Sequence, residues 1–245
     1  MLVRNIAHRG ASGYYPENTM YAFIKAVDMG CDGIETDVQL TKDGIPVLCH
    51  DEKVDRTTDG IGFIKDYTYS ELRKLNAGRI GDLDTKYEKI PTLEELLEYI
   101  QGKDIMINLE LKNSIIRYNG LEEIIIKMLY KYKLQEKAIL SSFNHYSTVI
   151  CKEVDKNIET GILYDCDIYK PEVYLKHVGA DALHPCFHSL NSQLVKEVKK
   201  QGITINTYTV NEEKDMFNLL KLGVDGIITN YPNLLKRIKD NFMHE

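Results

Sequence analysis

Residues 5–23 read NIAHRGASGYYPENTMYAF, and they contain the junction on which the fold turns. A short apolar run ends on His8-Arg9-Gly10, and Asn18-Thr19 then stands as a cap ahead of a stretch with helical apolar spacing. That helix is expected to run through Met29 and stop at Gly30, because glycine accepts the left-handed backbone that closes a helix. One strand followed by one helix results, with polar residues gathered at the carboxyl end of the strand.

The same unit recurs along the chain. Runs rich in Val, Ile and Leu fall near residues 3–8, 33–38, 104–111, 137–142, 159–164, 180–184, 202–207 and 224–229, separated by longer amphipathic segments. Such alternation implies parallel strands covered by helices, and eight strands are the number that closes a barrel. The expected fold is therefore α/β, a TIM (β/α)8 barrel with a small insertion after the second strand. Helix starts support it: Thr92-Leu93-Glu94-Glu95 is a capping box ahead of Leu96-Leu97. The segment after Asn211 opens with Glu212-Glu213 and closes at Gly223, and Leu234, Leu235, Ile238 and Phe242 share one face of a last helix.

The insertion is the stretch that breaks the cadence, about residues 51–91, where Gly, Asp, Thr and Tyr are frequent. Loops of that length in a compact domain are usually functional or disordered. A short helix is expected within residues 67–76, with Ser70 ahead of Glu71-Leu72. No Gly/Ser-rich linker divides the chain, so residues 1–245 are expected to form a single barrel domain.

Composition narrows the function classes. Thirty-one basic against 37 acidic residues give a formal net charge of -6 with no basic tail, which argues against a nucleic-acid partner. The first residues lack a basic region followed by an apolar stretch, and nowhere do roughly eighteen apolar residues run together. A soluble, cytoplasmic protein without stable membrane association is expected. Cys31, Cys49, Cys151, Cys166 and Cys186 are scattered without C-x-x-C spacing, as suits a reducing compartment and not a structural zinc site.

In such a barrel the carboxyl ends of the strands form the active face. The first strand ends in His8-Arg9. The second carries Glu35 and Asp37 and the third Asn108, Glu110 and Lys112, and strand alternation sends the members of each set to one side. Three carboxylates converging on one end of the axis would repel each other strongly unless a cation stood between them. A hard divalent ion with oxygen ligands, Mg²⁺ or Ca²⁺, is the economical answer. His50 returns to the same rim through the Asp43-Gly44 hairpin signal. A two-residue turn sets it opposite Asp37; a three-residue turn with a bulge sets it opposite Thr36. Two imidazoles with ordinary pKa values near ~6.5 can serve as acid and base around neutrality. Arg9, Lys112 and the ion suit a phosphate whose charge grows during displacement. Hydrolysis or transfer at a phosphodiester is the reaction class these groups suggest. No G-x-G-x-x-G follows a strand, so hydride transfer has no support.

These residues resemble the glycerophosphodiester phosphodiesterase family. "HRG" with "PENT", "GIETDVQLTKDGIPVLCHD", "NLELK", "TYTVN" and "GVDGIITNYP" are similar to its successive motifs, over residues 7–232. The resemblance implies that His8 and His50 are the acid-base pair and that Glu35, Asp37 and Glu110 are the metal ligands. It also implies phosphate contacts from Arg9 and Lys112, a pocket-lining Phe143, and a rim aromatic at Tyr208 where members commonly have Trp. The insertion matches one that helps cover the glycerol end of the substrate. The implied reaction is metal-dependent hydrolysis of glycerophosphodiesters to glycerol 3-phosphate and an alcohol. Competing readings are a phospholipase acting on lysophospholipids or phosphoinositides, and a barrel that binds phosphodiesters without turning them over.

Taken singly, many of these residues have plainer roles. His8 alone would be a hydrogen-bonded strand end, and Glu110 with Lys112 an ion pair without a metal. Asn18-Thr19 reads as a helix cap, Glu17 as a brace for Arg9 or a surface group, and His184 as a structural or rim histidine. Tyr130 and Tyr132 read as helix packing and surface.

Overall fold

Strand β1 (Arg4–His8) leads into helix α1 (Met20–Asp28), and β2 (Gly33–Leu40) then folds back on the short antiparallel β3 (Pro46–Leu48). A segment containing α2 (Tyr69–Leu72) and the paired two-residue strands β4 (Arg79–Ile80) and β5 (Leu83–Asp84) follows, before α3 (Leu93–Ile100). From there strand and helix alternate: β6 (Met106–Leu111), α4 (Leu121–Tyr132), β7 (Ala138–Ser142), α5 (His145–Val154), β8 (Glu159–Tyr164), α6 (Pro171–Val178). The chain ends with β9 (Ala182–Pro185), α7 (Ser192–Lys199), β10 (Thr204–Thr207), α8 (Glu213–Leu222), β11 (Gly226–Thr229) and α9 (Pro232–Phe242). This computed structural model describes residues 3–80, 83–84 and 87–242; the expected domain's residues 1–2, 81–82, 85–86 and 243–245 lie outside the described residues.

Eight strands close a ring. β2, β6, β7, β8, β9, β10 and β11 pair in parallel in that order, and β1 joins β11 to β2. The molecule is a TIM barrel, as the alternation of apolar runs implied. All eight residues of β2 are buried, its polar Glu35, Thr36, Asp37 and Gln39 included. Phe23 of α1, Leu96, Leu97 and Ile100 of α3 and Leu129 of α4 pack outside that wall. Several strands begin later than expected. Gly202, read as the start of β10, has φ +73° and ends the turn after α7 instead.

Local signals are mostly realised where the sequence placed them. Thr19 caps α1, accepting from Ala22 N, and Thr92 with Glu95 forms the capping box of α3. Two caps differ. Thr68, not Ser70, makes the capping box of α2 with Glu71. Glu212 takes the cap position of α8 because the side chain of Asn211 is used elsewhere, accepting from the backbone N–H of Asn230 at 3.0 Å.

The hairpin adopts the longer of its two readings. Val38 pairs with Leu48 and Leu40 with Pro46, so the register places Thr36, not Asp37, in line with His50. Lys42, Asp43 and Gly44 form a three-residue loop closed by Thr41 N donating to Ile45 O at 3.1 Å, with Gly44 at φ +79°. A glycine in that left-handed position is what this loop length needs. Behind the hairpin the insertion has a small core of its own, in which Val54, Ile64 and Leu72 pack against Val47 and Cys49.

Candidate active site

His8 and Glu110 stand at the carboxyl ends of β1 and β6, Glu35 and Asp37 within β2, and the other candidates in the segments just after strands. The register of β1 against β2 sets His8 beside Glu35, and that of β2 against β6 sets Glu35 beside Asn108 and Asp37 beside Glu110. One carboxylate oxygen from each of Glu35, Asp37 and Glu110 lies within 4.8 Å of the other two.

After His8 the chain turns sharply, with Arg9 at φ +54° and Gly10 at φ +83°. A Cβ on Gly10 would stand 2.7 Å from the carbonyl carbon of Ala22, so only glycine fits. Arg9 occupies a backbone region that L-residues disfavour, and its contacts hold it there. Its N–H donates to Glu35 O at 2.9 Å, its Nη1 donates to Glu17 at 2.9 Å, and its Nε lies 3.4 Å from Asp37 Oδ2.

The two histidines have different partners. His8 Nδ1 lies 2.6 Å from the amide oxygen of Asn230, which also accepts from Ser12 Oγ at 3.1 Å. A ring nitrogen bonded to a carbonyl oxygen carries the proton, so His8 Nε2 is left as a lone pair, 4.0 Å from Glu35 Oε2. Burial, and next the charge on Arg9, lowers the His8 pKa to about 4. His50 Nδ1 instead donates to the carboxylate of Asp51 at 2.7 Å. Arg56 holds that carboxylate at 2.8 Å and reaches Glu17 at 2.7 Å, so one chain of charges joins His50 to Arg9. Buried Gln39 fixes the backbone around His50, donating to Cys49 O at 2.9 Å and Asp51 O at 2.7 Å.

Electrostatics separate the three carboxylates. Burial, then the charges on Asp37 and Glu110, holds Glu35 well above the usual carboxylate range. Burial and Asp37 raise Glu110 as well. Burial also pushes Asp37 upward, but Arg9, His50 and Lys112 outweigh it and bring it down to about 2. Lys112 donates to Glu110 at 2.9 Å and lies 3.9 Å from Asp37 Oδ1, so the plain ion pair is present beside the acidic cluster. Asn18 donates to Asp37 Oδ2 at 2.9 Å, while Asp37 Oδ1 is buried with no hydrogen bond among the described residues. Three convergent carboxylates, two of them raised by burial and by their neighbours' charge and one with an unpaired oxygen, fit a hard divalent cation.

His8, His50, Glu35 and Glu110 line a cavity of about 170 Å³. Phe143 and Tyr208 border it with ring centroids 6.0 Å apart and planes nearly perpendicular, and Tyr208 OH donates to Tyr164 O at 2.9 Å. His184 is elsewhere. It is fully buried inside the barrel, accepts from Asn206 Nδ2 at 3.0 Å, and burial lowers its pKa to about 3. Sequence reasoning missed Asn18, Gln39, Asp51 and Asn230 as supports of the site. Asp51 stood next to His50 and was the one with a local signal; Asn230 is 222 positions from His8 and had none.

A profile of the Glycerophosphoryl diester phosphodiesterase family matches residues 8–234. The chain belongs to that family. A glycerophosphodiester phosphodiesterase of Caldanaerobacter subterraneus subsp. tengcongensis is 46% identical over 230 residues, covering 94% of this chain and 95% of the relative. Another, from Bacillus altitudinis, is 41% identical over 242 residues, covering 98% and 99%. Among solved structures, a phosphodiesterase of Oleispira antarctica in complex with the product sn-glycerol-3-phosphate superimposes with a TM-score of 0.87 at 33% identity, over 96% of each chain. The family match begins at His8 and extends past Tyr208, so every candidate side chain described above falls within it.

Proposed function

We propose that the protein hydrolyses glycerophosphodiesters to glycerol 3-phosphate and an alcohol, using a divalent metal and two histidines. The observation that carries this reading is a small cavity lined by two imidazoles and by Glu35 and Glu110 of the carboxylate cluster, with Arg9 and Lys112 against that cluster. Membership of the family and the product-bound Oleispira relative support the substrate class.

Glu35, Asp37 and Glu110 would hold the cation, Mg²⁺ or Ca²⁺. When bound, it supplies positive charge against the phosphate oxygens as negative charge builds up on them. Arg9 and Lys112 bind the phosphate and orient it. His8, whose Nδ1–H is held by a neutral amide, takes a proton at Nε2 from the attacking oxygen. His50, oriented by the bond from its Nδ1 to Asp51, gives a proton to the leaving alkoxide as the P–O bond breaks. Phe143 and Tyr208 wall the cavity, and the chain works as one barrel unit in the cytoplasm.

A coupled assay for glycerol 3-phosphate on glycerophosphocholine and glycerophosphoethanolamine tests this. Release of glycerol 3-phosphate is expected, lost under chelation and restored by Mg²⁺ or Ca²⁺. Release of phosphocholine would overturn the position of cleavage, and full activity of Glu35→Ala or of the chelated protein would overturn the metal.

A further inference from the structure

Two buried polar side chains at the cavity have no part in that chemistry. Asn108 on β6 is 1% exposed and Ser141 on β7 is 0% exposed, and both line the cavity. Asn108 Oδ1 and Ser141 Oγ make no hydrogen bond among the described residues. The next residue along β7 shows the usual arrangement, with Ser142 Oγ donating to Leu111 O at 2.8 Å. Buried polar atoms are ordinarily paired, and those left open at a cavity wall are placed to meet a ligand. Leu163 and Ile228 line the same cavity. Here the surface combines aliphatic wall with two neutral hydrogen-bonding groups that stand beside the carboxylates, Asn108 next to Glu35 and Ser141 next to Glu110. A small polyol suits it, its C–H surface on the aliphatic side chains and its hydroxyls on Asn108 and Ser141.

We propose that Asn108 and Ser141 form the hydroxyl-recognition subsite that reads the glycerol moiety of the substrate. This rests on the function proposed above and deepens it. Among the described residues of the 51–91 insertion none lines the cavity. The subsite is thereby built from the barrel strands alone.

The test compares kcat/KM for glycerophosphocholine with kcat/KM for bis(p-nitrophenyl) phosphate, a diester without hydroxyls. In Ser141→Ala and Asn108→Leu the ratio of the two is expected to fall about tenfold, carried mainly by KM for glycerophosphocholine, the size of one hydrogen bond to a bound hydroxyl. A substrate lacking one glycerol hydroxyl should lose about the same factor on the wild type and nothing further on one of the two variants. Because Ser141 Oγ has no internal bond to lose, Ser141→Ala should melt at or above the wild-type temperature. Equal losses on both diesters would overturn the subsite while leaving the proposed function standing. A wild type that cleaves bis(p-nitrophenyl) phosphate but no glycerophosphodiester would overturn both together.

Discussion

His8 and His50 face one cavity, but an amide oxygen holds the first and a carboxylate holds the second. Burial and the neighbouring Arg9 charge keep the His8 imidazole neutral with Nε2 open to accept a proton, whereas His50 donates its Nδ1–H to a carboxylate. The two residues should therefore fail differently. His50→Ala is expected to lose about 10²–10⁴ in kcat on glycerophosphocholine, the usual worth of a general acid. On a p-nitrophenyl diester, whose leaving group departs without a proton, it should lose far less. His8→Ala should lose comparably on both, and the opposite pattern in steady-state rates would reverse the two roles. Asp51→Asn should follow His50→Ala in direction with a smaller loss. His8 and the carboxylates were legible in the sequence because strand ends and strand alternation locate them, and His50 because the Asp43-Gly44 hairpin returns it to the same rim. Their supports were not, since Asn230 and Gln39 act through contacts between distant or irregular segments that leave no period in the chain.

The turns that aim these strands depend on glycines of two kinds. Gly44 in the β2–β3 loop has φ +79° and nothing within 4 Å of the place a Cβ would take, whereas Gly10 has φ +83° and the Ala22 backbone at 2.7 Å from that place. Gly44→Ala should therefore cost only the backbone term, about 1 kcal/mol, with kcat retained. Gly10→Ala adds overpacking against α1 and should cost about 3 kcal/mol and most of the activity. Urea unfolding of the two variants, with rates measured alongside, checks the contrast; equal losses would show that the close approach to α1 is not what fixes the turn. The strands and helices themselves were readable, because parallel strands appear as apolar runs and helix ends carry caps. The hairpin register was not, because Asp43-Gly44 is compatible with loops of two and three residues and only the Thr41–Ile45 pairing selects the longer.

The closed barrel buries a polar group that the reaction does not use, and the stability of the molecule should record it. His184 sits inside the ring, where its imidazole would stand 2.7 Å from a Cβ on Gly161 and is bonded to Asn206. Alternation places it on the inner face of β9, yet its complete burial follows only from closure, because neighbouring strands supply the missing walls. Burial lowers its pKa to about 3, against an ordinary value near ~6.5 in the unfolded chain. Between those values the unfolded chain binds the proton and the folded chain does not, so stability rises with pH across the window. The contribution is complete above the unfolded value and is lost as pH falls toward the folded one. Going from pH ~6.5 to ~4.5 should remove about 2 kcal/mol through this group alone, at about 1.4 kcal/mol per pH unit once the unfolded histidine is mostly protonated. His184→Gln keeps an acceptor for Asn206 and removes the titration. Urea unfolding at the two pH values should show a fall smaller by about 2 kcal/mol in the variant, since every other titrating group is common to both proteins. Equal falls would mean that the folded barrel admits the proton, and that His184 has a polar partner in solution beyond Asn206.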